Sequence, residues 1–254
     1  MTSRRELFLE EMGLTPLWRL RTRDMEDPGA GAEIPAAPAA AERSGGPGPA
    51  RPHSSAAADD HAARVARMDW NELKAAVAAC TACGLRKTCT QTVFGVGDAQ
   101  ADWLLVGEAP GAEEDARGEP FVGQAGKLLD GMLAGIDLKR GTKVYIANVL
   151  KCRPPGNRNP EHAEVERCSP YLVRQVELIR PRLILAMGRF ACQTLLGTDA
   201  SIASLRGRVH RYQGVPLIVT YHPAYLLRNL PDKAKAWEDL CFARRTLETL
   251  GQKV

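Results

Sequence analysis

Residues 144–159 read Val144-Tyr-Ile-Ala-Asn148-Val-Leu-Lys-Cys152-Arg-Pro-Pro-Gly-Asn-Arg-Asn159. The apolar, β-branched beginning has the pattern of a strand buried on both faces. Such a strand gains nothing from a carboxamide at its tip, and a loop rich in Arg and Pro gains nothing structural from Cys152. A buried strand that runs straight into groups able to read a ligand or hold a metal implies a binding site just beyond its carboxyl end.

Three more segments have the same short, apolar character: 103–107, 183–187 and 217–221. Helix-sized segments at 125–136, 161–179 and 233–250 separate them, and another helix is expected over 69–79 with Asp69 as its N-cap. Apolar strands alternating with helices predict a three-layer α/β/α sandwich around a central four-stranded parallel sheet. Ligands of such folds bind past the carboxyl ends of the strands. Glu108 after the first strand, Asn148 at the end of the second and His222 after the fourth would then converge on one crevice.

Upstream, residues 3–23 carry an apolar pattern (Leu7, Phe8, Met12, Leu14, Leu17, Trp18) that suits a short amphipathic helix, too short to bury that face alone. Residues 25–66 are mostly Ala, Pro, Gly and Ser, the composition of a disordered linker. The expected organisation is an N-terminal extension over 1–67 and a folded domain over 68–254.

The chain of 254 residues is 44% hydrophobic and 25% charged, with a net charge of +4. Residues 1–67 hold 9 Lys/Arg against 10 Asp/Glu, so the basic excess lies on the folded part, which permits a polyanionic partner. No apolar run has membrane-spanning length and the N-terminus lacks an apolar signal core, so a cytoplasmic protein without a membrane partner is expected. Seven cysteines, an odd number, argue for metal-bound or free thiols in a reducing compartment.

Cys80 and Cys83 form a C-x2-C pair, and Cys152 and Cys168 follow with fifteen residues between them. Two thiolates from a C-x2-C turn and two from distant positions can complete a tetrahedral zinc site or hold a [4Fe-4S] cluster. Cys89 is the rival ligand; Cys192 and Cys241 read as core residues. A zinc deaminase is excluded: His162-Ala-Glu164 supplies H-x-E, but the C-x-x-C pair precedes it and lacks the preceding proline. The loop after Gly107 is no P-loop, because it lacks the G-K-[ST] ending.

Four motifs occur in order: Gly107-Glu-Ala-Pro-Gly-Ala-Glu-Glu-Asp115, Pro120-Phe-Val-Gly-Gln-Ala-Gly126, Tyr145-Ile-Ala-Asn-Val-Leu-Lys-Cys-Arg-Pro-Pro155 and His222-Pro-Ala-Tyr-Leu-Leu-Arg228. With the placement of the four cysteines, the chain from about Cys80 to Leu240 resembles the family 4, iron–sulfur, uracil-DNA glycosylases. The resemblance implies removal of uracil from single- or double-stranded DNA, in the nucleoid of a bacterial cytoplasm, by a monomer. It also implies a structural [4Fe-4S] cluster on Cys80, Cys83, Cys152 and Cys168. Residues 3–23 would then engage a protein of replication or repair.

By the same resemblance Asn148 reads the flipped base, because a carboxamide offers an acceptor and a donor side by side. Phe121 stacks on the uracil, Gly107 and Ala109 line its pocket, and Glu114 crowds its C5 edge. His222 donates to uracil O2, Glu108 serves the sugar or the attacking water, and Asn157 lies near the reaction centre. Ala109 stands where family 1 has an aspartate. Arg153, Arg158 and Arg228 face phosphates, while Leu226 and Leu227 form the wedge that enters the base stack. Two sister branches fit less well: no histidine-bearing insertion separates Asn148 from Cys152, and Glu108 supplies the acid that family 5 lacks. A non-catalytic iron–sulfur DNA-binding module would have no need of Glu108, Asn148 and His222 together.

Overall fold

The computed structural model describes residues 56–251. The helix expected over 3–23 and the linker up to residue 55 lie outside the described residues. Six strands form one sheet: β1 (Val96–Gly97), β2 (Trp103–Gly107), β3 (Val144–Asn148), β4 (Leu183–Met187), β5 (His210–Tyr212) and β6 (Val215–Thr220). Their order is β1-β3-β2-β4-β6-β5. The central four are mutually parallel, as expected, whereas β1 and β5 pair antiparallel at the two edges.

The expected sheet of four strands is thus corrected to six. Edge strands of two and three residues are too short to show a periodicity, and their half-exposed side chains carry no apolar run. β5 exists because a two-residue turn, Gln213-Gly214, folds it back onto β6. Both turn residues have positive φ (48° and 78°), the backbone of the hairpin turn whose twist matches the flanking strands.

Each central strand is buried on both faces, and successive residues feed opposite layers. On one side Leu104, Val106, Ile184 and Ala186 pack against Leu172 and Val176 of the His162–Ile179 helix and Cys192 of the Arg189–Leu196 helix. On the other, Leu105, Ile146, Leu183 and Leu185 meet Leu129 and Leu133 of the Gln124–Ala134 helix and Leu240 of the Asp232–Gly251 helix.

A smaller core lies beside the sheet, where Leu73, Val77, Leu85 and Tyr171 surround Cys152 and Cys168. The Trp70–Ala78 helix forms part of it. Its N-cap is Asp69, with Asp69 Oδ1 accepting from the Glu72 amide (2.8 Å) and Glu72 Oε2 from the Asp69 amide (2.9 Å). A further helix, Ala56–Val65, lies upstream of the Arg67 boundary that composition suggests. Val65 is buried in this small core, and His61 meets the Tyr171 ring edge-on at 5.3 Å. Tertiary burial here stabilises a helix in a segment whose composition reads as linker.

Candidate active site

β2 and β3 end side by side, with Gly107 paired to Asn148. A Cβ at Gly107 would stand 2.5 Å from Asn148 Oδ1 and 2.8 Å from the Phe121 ring, so the bare backbone makes room for both groups. Asn148 is only 2% exposed, and its Oδ1 is buried without a hydrogen-bond donor. Such an atom costs about 1–3 kcal/mol unless something pairs with it. A carboxamide held this way is poised for a ligand donor.

The strand is anchored from behind. Lys151, itself buried, donates from Nζ to the Asn148 carbonyl (2.9 Å) and to Gln175 Oε1 (2.7 Å). Gln175 in turn donates to the Phe94 carbonyl (2.9 Å). This network holds the end of β3 against the His162–Ile179 helix.

Phe121 comes from the loop between the Ala112–Arg117 and Gln124–Ala134 helices. Its backbone is left-handed, with φ of 56°, uncommon for a bulky residue. The ring is buried and lies 5.4 Å from that of His222, the planes 29° apart.

His222 follows β6 and caps the short Pro223–Leu226 helix, its Nδ1 accepting from the Ala224 amide at 3.1 Å. The neutral ring therefore carries its proton on Nε2. Burial lowers its pKa to about 4, opposed by the Glu114 carboxylate and reinforced by Arg228. At neutral pH this is an uncharged donor. Gly188 gives the ring its seat, since a Cβ there would stand 2.8 Å from His222 Cβ.

Glu108 is half-buried at the tip of β2, and burial raises its carboxyl above the usual range while Arg189 pulls it back. Arg189 opens the helix after β4, the strand between those of Glu108 and His222. Sequence reasoning found three strand tips and missed this fourth. The available signal was an apolar strand running through a glycine directly into a helix.

Glu108, Ala109, Glu114, Phe121, Asn148, Asn157, Arg158, His222 and Arg228 all line one cleft of about 490 Å³ at this end of the sheet. Tyr225 lines it too, a residue the sequence did not single out, and its hydroxyl donates to Asp232 Oδ2 at 2.6 Å. Glu114 faces the cleft with oxygens already engaged, accepting from the amides of Gly111 (3.1 Å), Val122 (2.9 Å) and Gly123 (3.3 Å). Of its neighbours in the acidic turn, Glu113 is exposed, whereas Asp115 is buried and accepts from the Thr90 amide at 2.9 Å.

The expected DNA-facing residues divide. Arg228 and Leu227 are exposed, Leu227 at 42%. Leu226 is corrected from a wedge to a core residue: it is 1% exposed and packs with Tyr221 and Ala236. Arg158 is committed to carboxylates, with Nη2 at 2.6 Å and Nη1 at 2.9 Å from the Glu164 oxygens and Glu161 at 3.2 Å. Arg153 donates from Nε to Asn157 Oδ1 (2.7 Å), bracing a turn in which Gly156 and Asn157 both have positive φ.

Cys80, Cys83, Cys152 and Cys168 line a single small cavity of about 10 Å³ beside Tyr171. Burial pushes the Cys152 thiol up and that of Cys168 up to about 12. The Lys151 amide donates to Cys168 Sγ at 3.3 Å. Among the described residues no three Cys, His, Asp or Glu side chains are already assembled as a metal site. Cys89 is buried nearby but does not line the cavity; Cys192 is core.

Three strand tips thus bring an unpaired carboxamide, a neutral histidine and a half-buried carboxylate to one cleft, and a loop between helices adds an aromatic ring. The whole is an α/β fold with a ligand-binding crevice at its strand ends. The chain belongs to the uracil-DNA glycosylase superfamily, whose family model matches residues 94–241, and within it to the type-4 branch. It is 50% identical over 159 residues to the type-4 uracil-DNA glycosylase of Archaeoglobus fulgidus, covering 59% of this chain and 79% of that one. To the type-4 enzyme of Pyrobaculum aerophilum it is 41% identical over 181 residues, 68% of this chain and 92% of the relative. A type-5 enzyme of the same organism is 33% identical over 172 residues, 61% and 70% of the two chains. Among the described residues no helix is long and apolar enough to cross a membrane.

Proposed function

We propose that this protein flips uracil out of DNA and hydrolyses its N-glycosidic bond, leaving an abasic site for base excision repair. The observation that carries the reading is the buried, unpaired Oδ1 of Asn148 at the floor of the cleft. In this reading Oδ1 accepts from uracil N3–H and the amide nitrogen donates to O4. Cytosine presents the opposite order and meets donor with donor. Phe121 stacks on the base and Glu114 borders its C5 edge.

Breaking the bond builds negative charge on the departing uracil and positive charge on the sugar. His222 donates from Nε2 to O2, a role that suits a ring kept neutral by burial. Glu108 stabilises the cationic sugar or orients the water that adds to it. Asn157, held by Arg153, borders the same space. Arg228 contacts phosphate and Leu227, in place of Leu226, fills the gap left in the stack.

The four thiols around one cavity suit a [4Fe-4S] cluster held by Cys80, Cys83, Cys152 and Cys168. When bound, the cluster would cross-link the C-x2-C turn, the loop after β3 and the His162–Ile179 helix, a structural contribution. Asn148 lies four residues before Cys152, so that cross-link would also fix the reading end of β3.

The test is single-turnover cleavage of matched uracil and cytosine oligonucleotides by wild type, Asn148→Ala and Asn148→Asp. Wild type releases uracil only. Both variants lose most excision while DNA binding persists, because phosphate contacts carry most of the affinity. Asn148→Asp gains at most slow activity on cytosine. Binding of uracil-DNA without release by wild type would instead mark a recognition module.

A further inference from the structure

Phe121 holds a backbone conformation that a bulky side chain adopts only when its surroundings enforce it. Part of the enforcement comes from one residue outside the cleft. Arg140 donates from Nη1 to the Pro120 carbonyl (2.8 Å) and from Nη2 to the Phe121 carbonyl (2.9 Å). Its guanidinium is oriented by Asp130, whose Oδ1 accepts from Nε (3.1 Å) and Nη2 (3.0 Å). On the other side of Phe121, the Val122 and Gly123 amides are held by Glu114. A cation thus binds the carbonyls up to Phe121, and an anion binds the amides just after it. Gly126 closes the arrangement, since a Cβ there would fall 1.7 Å from the Phe121 oxygen.

The ring so oriented lies over Gly107 and beside His222. Were the backbone to relax toward negative φ, the side chain would swing away from both. We propose that Arg140 is a positioning residue for base recognition: by clamping the Pro120 and Phe121 carbonyls it sets where the stacking ring meets the flipped pyrimidine. The proposal rests on the reading of Phe121 as the stacking aromatic. Arg140 precedes β3 in sequence, so one short connection supports both the ring and the strand that ends in Asn148.

The test is a double-mutant cycle on the full chain, read by single-turnover excision and by inhibition with free uracil. Arg140→Gln should slow excision and weaken uracil inhibition, each by about ten-fold or more, with DNA affinity unchanged. Arg140→Lys should recover part of the loss, and Asp130→Asn should cost less than about three-fold, because the carbonyl bonds remain. In a Phe121→Ala background Arg140→Gln should add no more than about two-fold, since Arg140 acts through that ring. A purely structural role predicts the full loss again in that background, and that result overturns the proposal, as does wild-type uracil inhibition in Arg140→Gln. If Arg140→Gln unfolds, the same cycle with Arg140→Lys decides by the same non-additivity. Unchanged excision by Phe121→Ala would sink the stacking reading; a crippled Phe121→Ala beside a normal Arg140→Gln would sink the Arg140 assignment alone.

Discussion

Gly107 and Asn148 face each other across β2 and β3, and a methyl group on Gly107 would stand 2.5 Å from Asn148 Oδ1. The carboxamide occupies space that any side chain at Gly107 would need, and the Phe121 ring closes over the same glycine. The floor of the cleft is therefore built by the absence of a side chain. Gly107→Ala should cost at least about 100-fold in uracil excision, since misplacement of about 1 Å in a site can cost that much. DNA affinity and far-UV circular dichroism should stay near wild type. Normal excision by Gly107→Ala would mean that the carboxamide and ring are free to shift and do not form the reading surface.

Burial sets the charge state of His222, which gives a pH prediction. Its folded pKa of about 4 lies below the ordinary 6.5, so between these values the unfolded chain binds the proton more readily. Stability contributed by the neutral ring is complete above pH 6.5 and is lost as pH falls toward 4, by on the order of 3 kcal/mol. Replacing the ring with an uncharged amide, His222→Gln, should flatten that part of the stability–pH curve, measured by denaturant unfolding. An unchanged slope would show that the ring titrates normally in the folded protein.

The four-thiol cavity predicts a brown protein with broad visible absorption and about four irons per chain. Cys168→Ser should bleach it and lower its melting temperature, because through a bound cluster Cys168 would join the His162–Ile179 helix to the loop after β3. Elemental analysis that returned zinc alone would replace the cluster with a single-ion site.

Arg158 and Arg228 both border the cleft, yet only Arg158 is bound to carboxylates. Arg228→Ala should reduce the slope of log affinity against log salt by about 0.7–0.9, one phosphate contact. Arg158→Ala should leave the slope unchanged, its charge already satisfied by Glu164 and Glu161. The opposite pattern in filter-binding titrations would place the phosphate track over the Arg158 loop.

Much of this molecule was legible in one dimension. The apolar runs at 103–107 and 183–187 coincide with β2 and β4, and β3 fills the apolar beginning of the 144–159 stretch. The reason is physical: a strand buried on both faces must be apolar along its length, so its boundaries are written locally. Asn148, Glu108 and His222 could be found because a parallel sheet presents the ends of its strands at one edge.

What required the tertiary structure was whatever depends on neighbours distant in the chain. Leu226 and Leu227 are adjacent and chemically identical, but one is buried against Tyr221 and Ala236 and the other faces solvent. Arg153 and Arg158 looked alike until Asn157 and Glu164 were seen to engage them. The edge strands and the Arg140 clamp on Phe121 left no periodicity or motif to read. Hydrophobic pattern is a property of a segment and survives in the sequence. Burial and pairing belong to the contacts between segments, and the fold alone creates those.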